Sequence, residues 1–210
     1  MSTKTRFRAS VTGLLTILGA AAASNAAVLA PGASSSIGGW TGPTGGTTLL
    51  SQTLAFNSGT AWGSLEQTVQ ELTTGELFFE LKVSELHANS GITLTGIRHD
   101  GWDGQQVDAN FLLGSGASSP GTVSRGVPLG GTSVNWTAFE SVLADGGDSA
   151  LMQVYTKAES YTAQANWITL TFSDGSTASV FGAAPVAVPG PGSLALLGLA
   201  GVAGLRRRRS

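Results

Sequence analysis

The densest run of side chains able to do chemistry is His99-Asp100-Gly101-Trp102-Asp103-Gly104, followed closely by Asp108 and Asn110. Calcium takes about six to eight oxygen ligands on a flexible loop, and carboxylates plus backbone carbonyls around glycines can supply them. Asp100, Asp103 and Asp108 would be the carboxylate ligands, although their spacing is not that of an EF-hand. Asp-Gly pairs also make turns unaided, because the Asp side chain bonds nearby backbone and glycine accepts positive φ. Trp102 sits between two aspartates in this glycine-rich loop. Of the five tryptophans (Trp40, Trp62, Trp102, Trp136 and Trp167) it is the one expected at the surface, where a flat ring would stack on a sugar. The others read as core and sheet-edge packing.

Other catalytic arrangements find less support. His87 and His99 are 12 residues apart with no zinc-type pattern beside either, and both read as loop or surface histidines. The nucleophile elbow G-x-S-x-G is absent, and without cysteine there is no thiol chemistry. Glu66, Glu71, Glu76, Glu80 and Glu85 could in principle pair as glycosidase carboxylates. Strand alternation already accounts for Glu80 as outward decoration. The expectation is a protein that is not an enzyme, with no cofactor unless the 100–110 loop takes calcium.

The charge distribution narrows the partners. Lys4, Arg6, Arg8 and Arg206 to Arg209 are 7 of the 11 bases, whereas all 13 acidic residues lie between Glu66 and Asp174. The central region keeps Lys82, Arg98, Arg125 and Lys157, for a net charge of −9. Such a surface repels phosphate backbones and anionic lipid, so nucleic-acid binding is not expected.

The elements that must position these groups are strands. The chain has 30 glycines and few long polar side chains, which favours strands joined by tight turns. Period-two alternation marks half-buried strands at 50–56, 77–83 and 107–113, with 92–97 and 152–156 β-branched or apolar and 65–72 a weaker candidate. Thr137-Ala138-Phe139-Glu140 has the form of a capping box, and Val142 and Leu143 follow at helical spacing, predicting one short helix. Asp174-Gly175 predicts a two-residue hairpin turn pairing Phe172 with Thr177, Leu170 with Ser179 and Ile168 with Phe181. Seven to nine strands at this spacing predict an all-β domain, a β-sandwich or jelly-roll-like fold with one short helix.

Both ends carry addresses. Lys4, Arg6 and Arg8 precede an apolar stretch over 11–23, and Ser24-Asn25-Ala26 offers a signal-peptidase site with cleavage after Ala26. At the other end, Val188-Pro189-Gly190-Pro191-Gly192-Ser193 leads into an apolar run over 194–205, then Arg206, Arg207, Arg208, Arg209 and Ser210. A helix of that length spans roughly 18 Å, short of the roughly 30 Å bilayer core. Four arginines resist translocation.

A cleavable signal, a globular middle and a tail of Val-Pro-x-Pro, short apolar helix and arginine cluster resemble the PEP-CTERM proteins of Gram-negative bacteria. The alanine-, glycine- and leucine-rich tail is similar to the planctomycete-type versions. Gly190 stands where the family motif has Glu. The resemblance implies recognition by an exosortase-like membrane transpeptidase, cleavage near Val188 to Pro191, passage through the inner membrane, and transfer to the cell surface or extracellular matrix. It covers about residues 186–209.

The chain thus divides into a signal peptide (1–26), a flexible lead-in (27–46), a β-sandwich (47–184) and a sorting or anchor segment (185–210), the signal and the sorting segment each expected to be helical. The expected role is structural or adhesive at the cell surface. The alternatives are a carbohydrate-binding module, with extracellular polysaccharide as partner, and a secreted polysaccharide hydrolase.

Overall fold

The computed structural model describes residues 29–36, 46–112, 118–126, 131–139 and 146–186. Ala26, Trp40, Glu140, Val142, Leu143, Val188, Pro189, Pro191 and Arg206 to Arg209 lie outside the described residues, as do the segments expected to form the signal and tail helices.

Eleven strands are present: β1 (Ser34–Ser36), β2 (Gly46–Asn57), β3 (Ala61–Leu72), β4 (Leu77–Ala88), β5 (Leu94–Asp100), β6 (Val107–Leu112), β7 (Pro120–Arg125), β8 (Ser133–Phe139), β9 (Leu151–Thr156), β10 (Tyr161–Phe172) and β11 (Thr177–Pro185). They form two antiparallel sheets, one of six strands in the order β1-β7-β8-β5-β10-β11 and one of five in the order β2-β3-β4-β9-β6. The fold is all-β and consistent with a sandwich. The chain crosses between sheets at β1–β2, β4–β5, β5–β6, β6–β7, β8–β9 and β9–β10, so both sheets are assembled from distant parts of the sequence.

Alternation in sequence becomes two faces in space. On β4, Leu77, Phe79, Leu81 and Val83 are fully buried, and Ile168 and Leu170 meet them from β10 in one core. Trp102 and Trp136 are the largest fully buried side chains. An aromatic residue of this kind hides roughly 150–250 Å², a stabilisation of about 4–6 kcal/mol before entropy is charged.

Three expectations need correction. The capping box does not start a helix at Thr137: β8 runs through Phe139 and pairs with both β5 and β7. Burial of Trp136 between two partner strands overrides the local signal, and Ala138 even takes a left-handed φ of 55°. No helix occurs among the described residues.

The final hairpin is offset by one residue. The Phe172 carbonyl accepts from Gly175 N–H, and the Phe172 N–H donates to the Ser176 carbonyl, both at 3.0 Å. Gly175 has φ of 82°, which makes a three-residue loop with a glycine bulge rather than a two-residue turn. Thr171 therefore faces Thr177, Leu170 faces Ala178, Ile168 faces Val180 and Trp167 faces Phe181. The slip exchanges the two faces of β11. Val180 joins the core, and Phe181 goes outside.

The lead-in is not free throughout. Leu29 is buried, its N–H donates to Val107 O at 2.9 Å, and β1 pairs with β7 at the sheet edge.

Candidate functional site

The 100–106 loop is a turn built around a buried tryptophan. Gly101 has φ of 95°, and a Cβ there would collide with the Asn166 amide and come within 2.8 Å of Ala184 Cβ. The N–H groups of Gly101 and Trp102 both donate to Thr132 O, at 2.9 and 3.0 Å. Arg125, itself buried, caps the loop from inside. Its guanidinium donates to the carbonyls of Trp102 (2.6 Å), Gln105 (2.7 Å) and Gly131 (3.1 Å). Burial lowers the Arg125 pKa, and the Asp103 carboxylate opposes that shift.

Trp102 is therefore not at the surface. It is fully buried, edge-on to Phe79 at 5.2 Å and to His99 at 5.1 Å between ring centroids. Its flanking glycines let the chain fold back, and its own area drives the ring inward. His99 is likewise a core residue rather than a surface one. Its Nε2–H donates to Ala183 O at 2.9 Å, and its Nδ1 meets no partner. Burial pushes its pKa down to about 4, against a smaller upward effect of the Ala183 bond. Gln67 grips the same residue, donating to Ala183 O at 2.8 Å and accepting from its N–H at 2.7 Å.

The three aspartates proposed as calcium ligands have separate surroundings. Asp100 accepts from Arg98 Nε at 2.8 Å. Asp103 is exposed on the turn, and Asp108 lies on β6 opposite Tyr155 of β9. Among the described residues no three His, Cys, Asp or Glu side chains gather to hold a metal. The glutamates have structural surroundings too. Glu80 accepts from Gln70 at 2.8 Å and Gln153 at 2.9 Å. Glu76 binds the Tyr155 hydroxyl, which lowers its own pKa, while burial and that carboxylate push Tyr155 up to about 12.

The side chains that do reach outward together are on the outer face of the six-stranded sheet. Arg98 faces Thr169, and Thr169 faces Ser179, making one polar row across β5, β10 and β11. Two residues along, the same register sets Asp100 beside Trp167, and Trp167 beside Phe181. Trp167 is 49% exposed and Phe181 40%, and their rings meet edge-to-face at 4.0 Å. Arg98, Asp100, Trp167, Thr169 and Ser179 line an open depression of about 560 Å³. Arg98 Nε and Nη2 both reach Asp100 Oδ1 at 2.8 Å, and the Thr169 and Ser179 hydroxyls are 2.9 Å apart. A β10 irregularity between Thr162 and Asn166 precedes Trp167 and resets its pairing with β11.

On the other sheet, exposed Trp62 stacks on His87 at 5.9 Å. The sequence signal for the outer face was present, since Trp167, Thr169 and Thr171 alternate with Ile168, Leu170 and Phe172. The one-residue offset in the hairpin hid it by assigning Phe181 to the core beside Ile168. No family model, curated protein or solved structure matches the chain.

Proposed function

We propose that this chain is an exported, non-catalytic protein, delivered by its C-terminal tail and adhesive through the outer face of its six-stranded sheet. Delivery is supported by the sequence of the two ends: basic then apolar residues leading to Ala26, and Val188-Pro189-Gly190-Pro191 before the apolar run and Arg206 to Arg209. Signal peptidase and an exosortase-like transpeptidase are the enzymes that would act on them, at the inner membrane. The destination is the cell surface or extracellular matrix.

The observation that carries the adhesive role is the Trp167–Phe181 pair. Both rings lie on a face that alternation should make polar, and each leaves two-fifths or more of its area in water. Paired aromatics of this kind contribute strongly when a partner covers them.

Mass spectrometry of protein recovered from surface material tests delivery. The expected mature N-terminus is Ala27, with no peptide from 194–210. Recovery of an intact arginine terminus from that material would refute sorting by cleavage. For adhesion, Trp167→Ala should release the protein from surface material in a wash that retains the parent. Equal retention of both would refute it.

A further inference from the structure

We infer that the Trp167–Phe181 row and the adjoining Arg98, Asp100, Thr169 and Ser179 bind a neutral polysaccharide. The inference rests on the adhesive reading and names the ligand class for the same face. A sugar ring has two unlike surfaces: an apolar face of axial C–H bonds and a rim of hydroxyls that both donate and accept. The sheet presents the same two surfaces side by side. The two rings meet edge-to-face, and Trp167 and Phe181 keep 49% and 40% of their area in water, which leaves aromatic surface for stacking. Two residues along a strand advance about 7 Å, which puts the polar row within reach of the rim of the same ring.

The polar row supplies matching groups. Arg98 and Asp100 hold each other in place through Asp100 Oδ1. Asp100 Oδ2 and Arg98 Nη1 lie outside that pair, one an acceptor and one a donor for a sugar's hydroxyl rim. Thr169 and Ser179 add two hydroxyls bonded to each other, which together leave one proton to donate and lone pairs to accept.

Charge selects among sugars. The Arg98–Asp100 pair is neutral as a unit, and the central region carries −9, so uronate or sulfated chains meet repulsion with no surplus cation to offset it. A protein partner fits less well. Stable protein interfaces cover about 800 Å² per side around an apolar centre. Here the other exposed large apolar side chains among the described residues are Leu49 and Trp62 on the opposite sheet and Val186 beyond β11.

The test is titration of the mature chain with neutral hexose, pentose and N-acetylhexosamine oligosaccharides, with a polyuronate and a sulfated glycan as anionic comparators. Binding is followed by tryptophan fluorescence and by calorimetry. At least one neutral oligosaccharide should bind. Trp167→Ala and Arg98→Gln should each weaken binding about tenfold or more while melting stays at the parental temperature, and Trp62→Ala should leave it unchanged. The inference is overturned by failure of every neutral sugar, by undiminished binding in Trp167→Ala, or by preference for an anionic glycan. Surface retention separates this result from the underlying reading. If Trp167→Ala detaches from surface material while no sugar binds, adhesion stands and the sugar assignment falls. If sugar binding is lost but retention is unchanged, the sugar site stands and adhesion through it falls.

Discussion

Acid should weaken this fold through one residue, His99. In the unfolded chain the imidazole takes a proton near its ordinary value of 6.5, whereas in the folded protein burial holds the pKa at about 4. Between those values the unfolded state binds the extra proton, so stability is complete above pH 6.5 and falls as pH drops toward 4. The slope is about 1.4 kcal/mol per unit at its steepest, and the whole window amounts to about 3 kcal/mol. The structural cause is specific. Nε2–H is committed to Ala183 O, so a second proton would sit on Nδ1, which faces no acceptor among packed aromatic rings. Urea unfolding from pH 7.5 to 4, followed by tryptophan fluorescence, measures the effect. His99→Gln keeps an amide that can donate to Ala183 O but cannot titrate in this range. Carboxylates such as Asp148 and Glu76, whose folded pKa values are lowered, also lose stability on acidification. They do so in both proteins, so the difference between parent and variant isolates the histidine. That difference should narrow or reverse by about 3 kcal/mol as pH falls through the window. A difference independent of pH would refute the reasoning.

Arg125→Met removes three short bonds to buried carbonyls and should cost about 3–5 kcal/mol in denaturant unfolding; a loss under 1 kcal/mol would mean water replaces the guanidinium with ease. Gly101→Ala combines a left-handed φ with a clash at Asn166, for about 2–4 kcal/mol. Adding Asn166→Ala should return the Asn166 share of the steric cost, visible as partial recovery of the melting temperature, and leave the Ala184 contact and the backbone part. Excess calcium or EDTA should shift melting by less than about 1 °C. A rise of several degrees with calcium, abolished by Asp103→Ala, would restore the loop as a cation site.

Much of the sandwich was legible because burial writes itself into alternation. The strands at 77–83 and 107–113 carry one apolar face each, and β4 and β6 are found there. What stayed hidden depends on partners distant in sequence. Thr137 to Glu140 has helix-start chemistry, yet Trp136 needs the core, and pairing on both sides keeps β8 extended. β7 (Pro120–Arg125) opens with proline and glycine and has little alternation of its own; its pairing with β1 and β8 defines it. For the candidate site, the direction of the side chains is what the sequence hid. Trp102 in a polar loop looks exposed until Arg125, 23 residues later, is seen capping its carbonyl from inside. Trp167 lies among alternating residues that could be assigned to either face. A single extra loop residue at Gly175 then decides whether Phe181 belongs to the core or to the surface.

The β10–β11 hairpin carries the outer-face aromatics and leads to Val186. Val186 N–H is held by Ser160 O at 3.0 Å, its carbonyl by the Gln105 amide at 2.8 Å, and Ala183 by Gln67 of the opposite sheet and by His99 of its own sheet. A pull applied at Val186 along β11 therefore loads these bonds together, in shear, instead of peeling them one at a time. Trp167 lies on β10, and Val186 lies just beyond β11. A load on Val186 would therefore reach the five-stranded sheet through Gln67 of β3 as well as the hairpin's own ladder.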